Sequence, residues 1–166
     1  SVTLGLGESV TCTFVNDDNA PSLTLLKTVI NDNGGTAVPG DWTLSAAGYD
    51  AASPDAGTYD LSESGPAGYT LTSLTCDNAE GQVTSVTLGL GESVTCTFVN
   101  DDNAPSLTLL KTVINGENPG GTAVATDWTL AASGPTGFFG TTGVSSDALF
   151  SAGSYDLSEF GPAGYL

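Results

Sequence analysis

The sequence predicts an all-β protein made of tandem Greek-key β-sandwich modules of about seven strands each. Three observations carry this. A 31-residue string, SVTLGLGESVTCTFVNDDNAPSLTLLKTVIN, occupies residues 1–31 and returns at 85–115, an offset of 84. That period is too long for a solenoid unit and suits one small domain per repeat. Short Thr/Val/Leu-rich runs alternate apolar and polar residues, the period-two signature of half-buried strands. Between the runs lie turn formers, drawn from 22 Gly and 8 Pro, and no segment shows sustained helical periodicity.

The phase of the repeat follows from its junctions. Asn16-Asp17-Asp18-Asn19-Ala20-Pro21 and its copy at 100–105 are polar, turn-forming and end in Pro, so they read as inter-domain junctions. One complete module then spans 22–105. Residues 1–21 read as the last strands of a preceding module, and 106–166 as the first part of a following one. Within 22–105 the strands expected in order are 22–30 (SLTLLKTVI), 41–45 (DWTLS), 58–62 (TYDLS), 69–76 (YTLTSLTC), 82–88 (QVTSVTL) and 93–99 (SVTCTFV). They are separated by Asn33-Gly34-Gly35, Gly65-Pro66-Ala67-Gly68, Glu80-Gly81 and residues 89–91, all turn chemistry. Lys27 to Glu63 is 36 residues, whereas Lys111 to Glu159 is 48, so the second copy carries an insertion. It falls near 134–146 and reads as a longer loop or hairpin.

Charge excludes several functions. Nineteen acidic residues against two lysines give a net charge of -17 at pH 7. Nucleic-acid binding needs a basic footprint, and anionic membrane surfaces attract cations, so neither is a partner. No apolar run is long enough to span a bilayer. There is no His, which removes Ser/His/Asp triads and His-ligated metals.

The two lysines, Lys27 and Lys111, are one residue seen twice, each inside an apolar strand. Alternation puts Lys27 in phase with Leu23, Leu25 and Val29. It puts Glu63 in phase with Tyr59 and Leu61, and Asn100 in phase with Val94, Cys96 and Phe98. An unpaired buried charge is very unfavourable, so either the three meet or the strands are read one residue out of register. If they meet, burial favours the uncharged forms of an amine and a carboxyl. The neutral amine is then a nucleophile, the carboxyl a proton relay and the carboxamide carbon an electrophile. The product would be an isopeptide bond with loss of ammonia. The competing reading is a salt bridge from Lys27 to Glu63, with Asn100 opening a turn.

These residues resemble the B-type (CnaB-like) domains of Gram-positive pilins and collagen adhesins, and the related transthyretin (prealbumin)-like surface repeats. The carriers are Leu25-Leu26-Lys27 on the first strand, Tyr59-Asp60-Leu61-Ser62-Glu63 followed by Pro66-Ala67-Gly68-Tyr69, and Thr97-Phe98-Val99-Asn100 on the last. The resemblance implies Lys27 as bond donor, Glu63 as catalytic acid and Asn100 as acceptor. By the same match Lys111 and Glu159 belong to the next module, through 155–165, and Asn16 to the previous one. Cysteine departs from the isopeptide pattern, although some prealbumin-like repeats use a disulfide where others use the isopeptide bond.

Cys76 is in phase with Leu74, and Cys96 with Phe98, so both point inward, as a disulfide or as buried free thiols. Cys12 corresponds to Cys96, and its partner lies outside this segment. A disulfide implies an oxidising, extracellular compartment. Asp17, Asp18, Asp101 and Asp102 offer oxygen ligands of the kind Ca²⁺ takes, or simply turns and solvating charge, since no DxDxDG loop is present. No other cofactor is expected. Trp42 and Trp128 recur in one Asp-Trp-Thr-Leu frame and read as packing residues.

The expected function is structural: a repeat of an extracellular stalk, fibre or pilus-like filament at the cell surface, tied internally by isopeptide or disulfide bonds. No enzyme activity beyond self-catalysed bond formation is expected. The expected partners are neighbouring copies along a fibre, and Asn16 either pairs with Lys111 and Glu159 between copies or belongs to one stretch of a longer array. The alternative is an adhesive module recognising a glycan or host protein through its loops, with Phe138 and Phe139 in the insertion as its best support.

Overall fold

The structure is a computed structural model and describes residues 1–117 and 120–165. Six strands build the first module: β1 (Ser22–Ile30), β2 (Thr43–Ala46), β3 (Gly57–Ser64), β4 (Tyr69–Cys76), β5 (Ser85–Leu88) and β6 (Ser93–Asp102). They form two sheets, β1-β6-β4 and β2-β3-β5. β1 alternates between exposed and half-buried at every residue, as its Thr/Leu pattern dictates. Inward side chains from both sheets meet in one core of Tyr59, Leu61, Leu74, Cys76, Val86, Leu88, Val94, Cys96 and Phe98. Each large apolar side chain buried there contributes about 1.5–3 kcal/mol.

Two pairings position everything that follows. β4 and β6 run antiparallel with Cys76 opposite Cys96. β1 and β6, the first and last strands of the module, lie side by side and parallel, with Lys27 opposite Phe98 and Val29 opposite Asn100. Parallel neighbours need a long crossover, here the whole of the intervening module.

The second module uses the same letters differently. Residues 106–115 repeat the sequence of 22–31, yet only β7 (Thr108–Leu109) forms, pairing with β10 (Val144–Ser145). β8 (Thr129–Ser133) is flanked by β9 (Phe138–Gly140) and β11 (Asp156–Phe160). A strand is only as long as the ladder that satisfies its N–H and C=O groups. β1 has nine residues of β6 paired beside it, and β7 has two residues of β10. The insertion near 134–146 carries β9 and β10, which do not pair with each other: β9 joins β8 in one sheet and β10 joins β7 in another.

Residues 1–21, expected as closing strands, carry no strand, and 1–20 are exposed throughout. They touch the first module near 89–92, where the Gly91 N–H donates to the Asn19 carbonyl at 2.7 Å. With no ladder partner, extended backbone there keeps its hydrogen bonds to water.

The junction at 100–105 is partly absorbed into β6, which runs to Asp102. That carboxylate accepts hydrogen bonds from the backbone N–H groups of Asp32, Asn33 and Gly35, so the β1 turn wraps around it. Asn33, itself buried, reaches the other module: its carbonyl accepts from the Ala152 N–H at 2.7 Å, and its Nδ2 donates to the Ala148 carbonyl at 3.2 Å. Desolvation pushes the Asp102 carboxyl up, but the N–H groups of Asn33, Gly35 and Asp32 outweigh it and hold the carboxyl below its ordinary value of 3.8. A depressed carboxyl contributes stability above the unfolded value and loses it as pH falls through the folded one. The thermal unfolding midpoint is therefore expected to fall with acid below about 3.8, and Asp102→Ala should flatten that dependence. Asp32 works in the opposite sense. Desolvation, then the Asp101 and Asp102 charges, raise its carboxyl, so its contribution improves as pH falls.

Candidate cross-linking site

The inward phase of three strands converges at one point between the sheets. β1 delivers Lys27, β6 delivers Asn100 two residues beyond the position opposite Lys27, and β3 delivers Glu63 from the facing sheet. Lys27 Nζ lies 2.5 Å from Glu63 Oε2. The same ammonium donates to Asn100 Oδ1, and Asn100 Nδ2 donates to Glu63 Oε1 at 2.7 Å. The three side chains thus close a ring in which one carboxylate accepts from both nitrogens. The Lys27 and Glu63 side chains are 4% and 12% exposed, and Asn100 is buried. The sequence-derived triad is brought together, and the out-of-register alternative is excluded.

Trp42 completes the site. Its ring lies 4.6 Å from Lys27 Nζ, a cation–π distance that also keeps water from the amine. Tyr69 meets Trp42 edge-on at 5.2 Å, donates to Asn31 Oδ1 at 2.6 Å and accepts from the Ala37 N–H at 3.0 Å. The turn between β3 and β4 explains its glycines: a Cβ on Gly65 would collide with the Trp42 indole, and Gly68 sits at φ 86°. Sequence reasoning treated Trp42 only as packing. A signal was present: the chain has two Trp and two Lys, one of each per repeat.

The second module holds two thirds of the same site. Lys111 Nζ bonds both Glu159 oxygens, at 2.7 and 2.8 Å, under Trp128 at 4.7 Å. This pair is more open, with side chains 16% and 45% exposed. No Asn joins it among the described residues. Asn16 is exposed in the strandless segment and makes no hydrogen bond to Lys111 or Glu159 among those residues.

Cys76 and Cys96 form a disulfide, while Cys12 is free and exposed. The bridge spans 20 residues of sequence. In the chain-entropy model its loss removes about 3 kcal/mol. Cys76→Ala with Cys96→Ala should lower the denaturation midpoint accordingly, read by urea unfolding of the double variant. Asp101 and Asp102 lie with Asp32 in a carboxylate cluster, whereas Asp17 and Asp18 are outside it. The Asp102 oxygens are already engaged by backbone N–H groups, so turn formation accounts for that residue. In the insertion Phe138 packs on Phe150 at 5.5 Å, leaving Phe139 as the exposed aromatic. No helix among the described residues is long and apolar enough to cross a membrane.

A family model described as prealbumin-like fold domain matches residues 18–98 and again 102–166. No curated protein and no solved structure matches the chain.

Proposed function

Because the chain belongs to the prealbumin-like fold domain family, we propose that it is a structural repeat of an extracellular stalk or pilus-like filament, cross-linked within its module between Lys27 and Asn100. The observation that carries this reading is the closed ring of Lys27, Glu63 and Asn100 inside the sandwich. Proton transfer from Lys27 to Glu63 across their 2.5 Å contact leaves a neutral amine and a neutral acid. The amine nitrogen then attacks Asn100 Cγ, the atom bonded to the Oδ1 it already touches. Glu63 passes its proton to the departing Nδ2, which it also contacts, and takes up the proton that the attacking nitrogen sheds. Lysine amine plus asparagine carboxamide gives an amide plus ammonia, and the carboxyl returns protonated. The product retires the buried ammonium and keeps its hydrogen bonds to Glu63, which removes the desolvation cost of the ion pair.

This is a single event within the protein, without turnover on an outside substrate. The Cys76–Cys96 disulfide supports an oxidising, extracellular setting. The acidic, cation-poor surface keeps exposed strand edges from pairing at random. Intact mass of the reduced chain tests the reading: the expected value is low by one ammonia, localised to a peptide joining Lys27 to Asn100. An unmodified mass leaves the disulfide as the covalent tie and removes the proposal.

A further inference from the structure

One strand edge differs between the two modules although its letters do not. In a strand the backbone groups of successive residues point to opposite edges. The Ser22 N–H donates to the Glu92 carbonyl at 2.8 Å, which assigns Ser22, Thr24, Leu26 and Thr28 to the β6 side of β1. Leu23, Leu25 and Lys27 therefore present their N–H and C=O groups to the other edge. In the second module their counterparts Leu107, Leu109 and Lys111 bond the insertion. The Leu109 carbonyl accepts from the Gly143 N–H at 2.9 Å and the Leu107 carbonyl from the Ser146 N–H at 2.9 Å, while the Lys111 N–H donates to Thr142 Oγ1 at 2.9 Å. β10 thus caps the edge that faces away from the β6 position. The first module has no such insertion. There the Leu23 N–H donates to the Tyr49 hydroxyl at 3.0 Å, and the backbone groups of Leu25 and Lys27 have no protein partner among the described residues. A cleft of about 310 Å³ opens beside them, lined by Leu23, Leu25, Leu44, Ser45, Ala46 and Tyr49.

β4, the opposite edge of this sheet, is covered: the Val83 N–H donates to the Leu74 carbonyl at 2.9 Å, and Gln82 Nε2 to the Thr72 carbonyl at 3.3 Å. The free edge of β1 has neither cover nor charge. Residues 19–31 and 42–49, the two walls of the cleft, contain no Asp or Glu in a chain of net charge -17. Leu26, whose side chain points out of the sheet, is 48% exposed. We propose that this edge is an interface with a second copy of the chain, whose own β1 lies antiparallel beside it. Two observations select that occupant. The same nine letters already hold an antiparallel strand on this edge in the second module. A long strand edge without protecting charge is also a template for its own kind. Pairing identical edges creates a two-fold axis, so the contact closes at two chains. With the axis at Leu26, Leu25 of each copy exchanges both backbone hydrogen bonds with Lys27 of the other. The two Leu26 side chains then meet as a non-hydrogen-bonded pair, the closer of the two pair types. Lys27 contributes only backbone, so the pairing stands whether or not its Nζ is joined to Asn100.

Light scattering of the full chain, with Cys12→Ser to exclude bridging, tests this over a concentration series at low salt and at about 0.5 M salt. The expected molar mass rises to that of two chains and stops there. It should do so at lower protein concentration in the higher salt, because screening weakens the repulsion between two acidic chains while the interface itself carries no acid. Leu26→Glu sets two carboxylates against each other at the axis and should keep the chain single. Leu110→Glu, the same change in the same letters beside β10, should leave the pair intact. Amide exchange needs no variant: at Leu25 and Lys27 it should slow about tenfold between dilute and concentrated chain. A chain that stays single at every concentration in both salts overturns the proposal. So do a pair that survives Leu26→Glu, growth beyond two chains, and exchange at Leu25 and Lys27 that does not change with concentration.

Discussion

Glu63→Gln is expected to leave the chain at its full calculated mass, with no ammonia lost between Lys27 and Asn100. A glutamine offers no exchangeable carboxyl proton, so it can neither receive one from the amine nor pass one to the departing nitrogen. The same variant strands an ammonium whose side chain is 4% exposed beside a neutral amide. Removing one partner of a buried ion pair costs about 3–5 kcal/mol. Losing the covalent tie adds to this. Lys27 and Asn100 are 73 residues apart, and closing a loop of that size is worth about 4 kcal/mol in the chain-entropy model. Lys27→Met separates the two terms, because it also prevents the bond but leaves no buried ammonium. Denaturant midpoints of the two variants against the parent give the result, with Glu63→Gln expected to be the weaker. Wild-type-like ammonia loss in Glu63→Gln would show that the carboxyl is not the relay.

The second large effect is at Phe98, which is fully buried where both sheets meet. Phe98→Ala removes the side chain and leaves a cavity that the β4 and β5 neighbours cannot collapse into, at a cost of about 3–5 kcal/mol. Phe14→Ala makes the same change in the same surrounding letters. Phe14 is 91% exposed, so the unfolding midpoint of the first module should move by no more than about 0.5 kcal/mol. Urea unfolding of the two variants, followed by Trp fluorescence, checks the contrast. Equal effects would mean that residues 1–21 pack on the first module.

Much of the first module was legible in its alternation. The bounds of β1 and β4 are those expected, and inward phase sufficed to single out Lys27, Glu63 and Asn100. Phase names a face, however, and does not name a neighbour. That β1 lies parallel to β6 follows from the closure of the whole sandwich. The role of Trp42 depends on a bend before β2 that carries its ring over the lysine, which no periodicity encodes. The clearest limit is the pair β1 and β7. Identical residues give nine strand residues in one place and two in the other, because β-structure is fixed by its partner. The contact between Asn33 and residues 148–152 was likewise beyond reach, since it joins positions more than a hundred residues apart.

That last contact bears on mechanics. Asn33 sits in a turn gathered around Asp102, the residue where β6 leaves the first module, so the exit of one module and the dock for the next are tied to the same carboxylate. A hinge needs residues free to change φ and ψ. Here the backbone on the turn is hydrogen-bonded to the strand end, and its side chain and carbonyl to the neighbour. Bending such a joint means breaking several buried hydrogen bonds together. Successive modules joined in this way would keep a set azimuth, and an array of them would have a defined pitch and a long persistence length, behaving as a torsionally stiff rod.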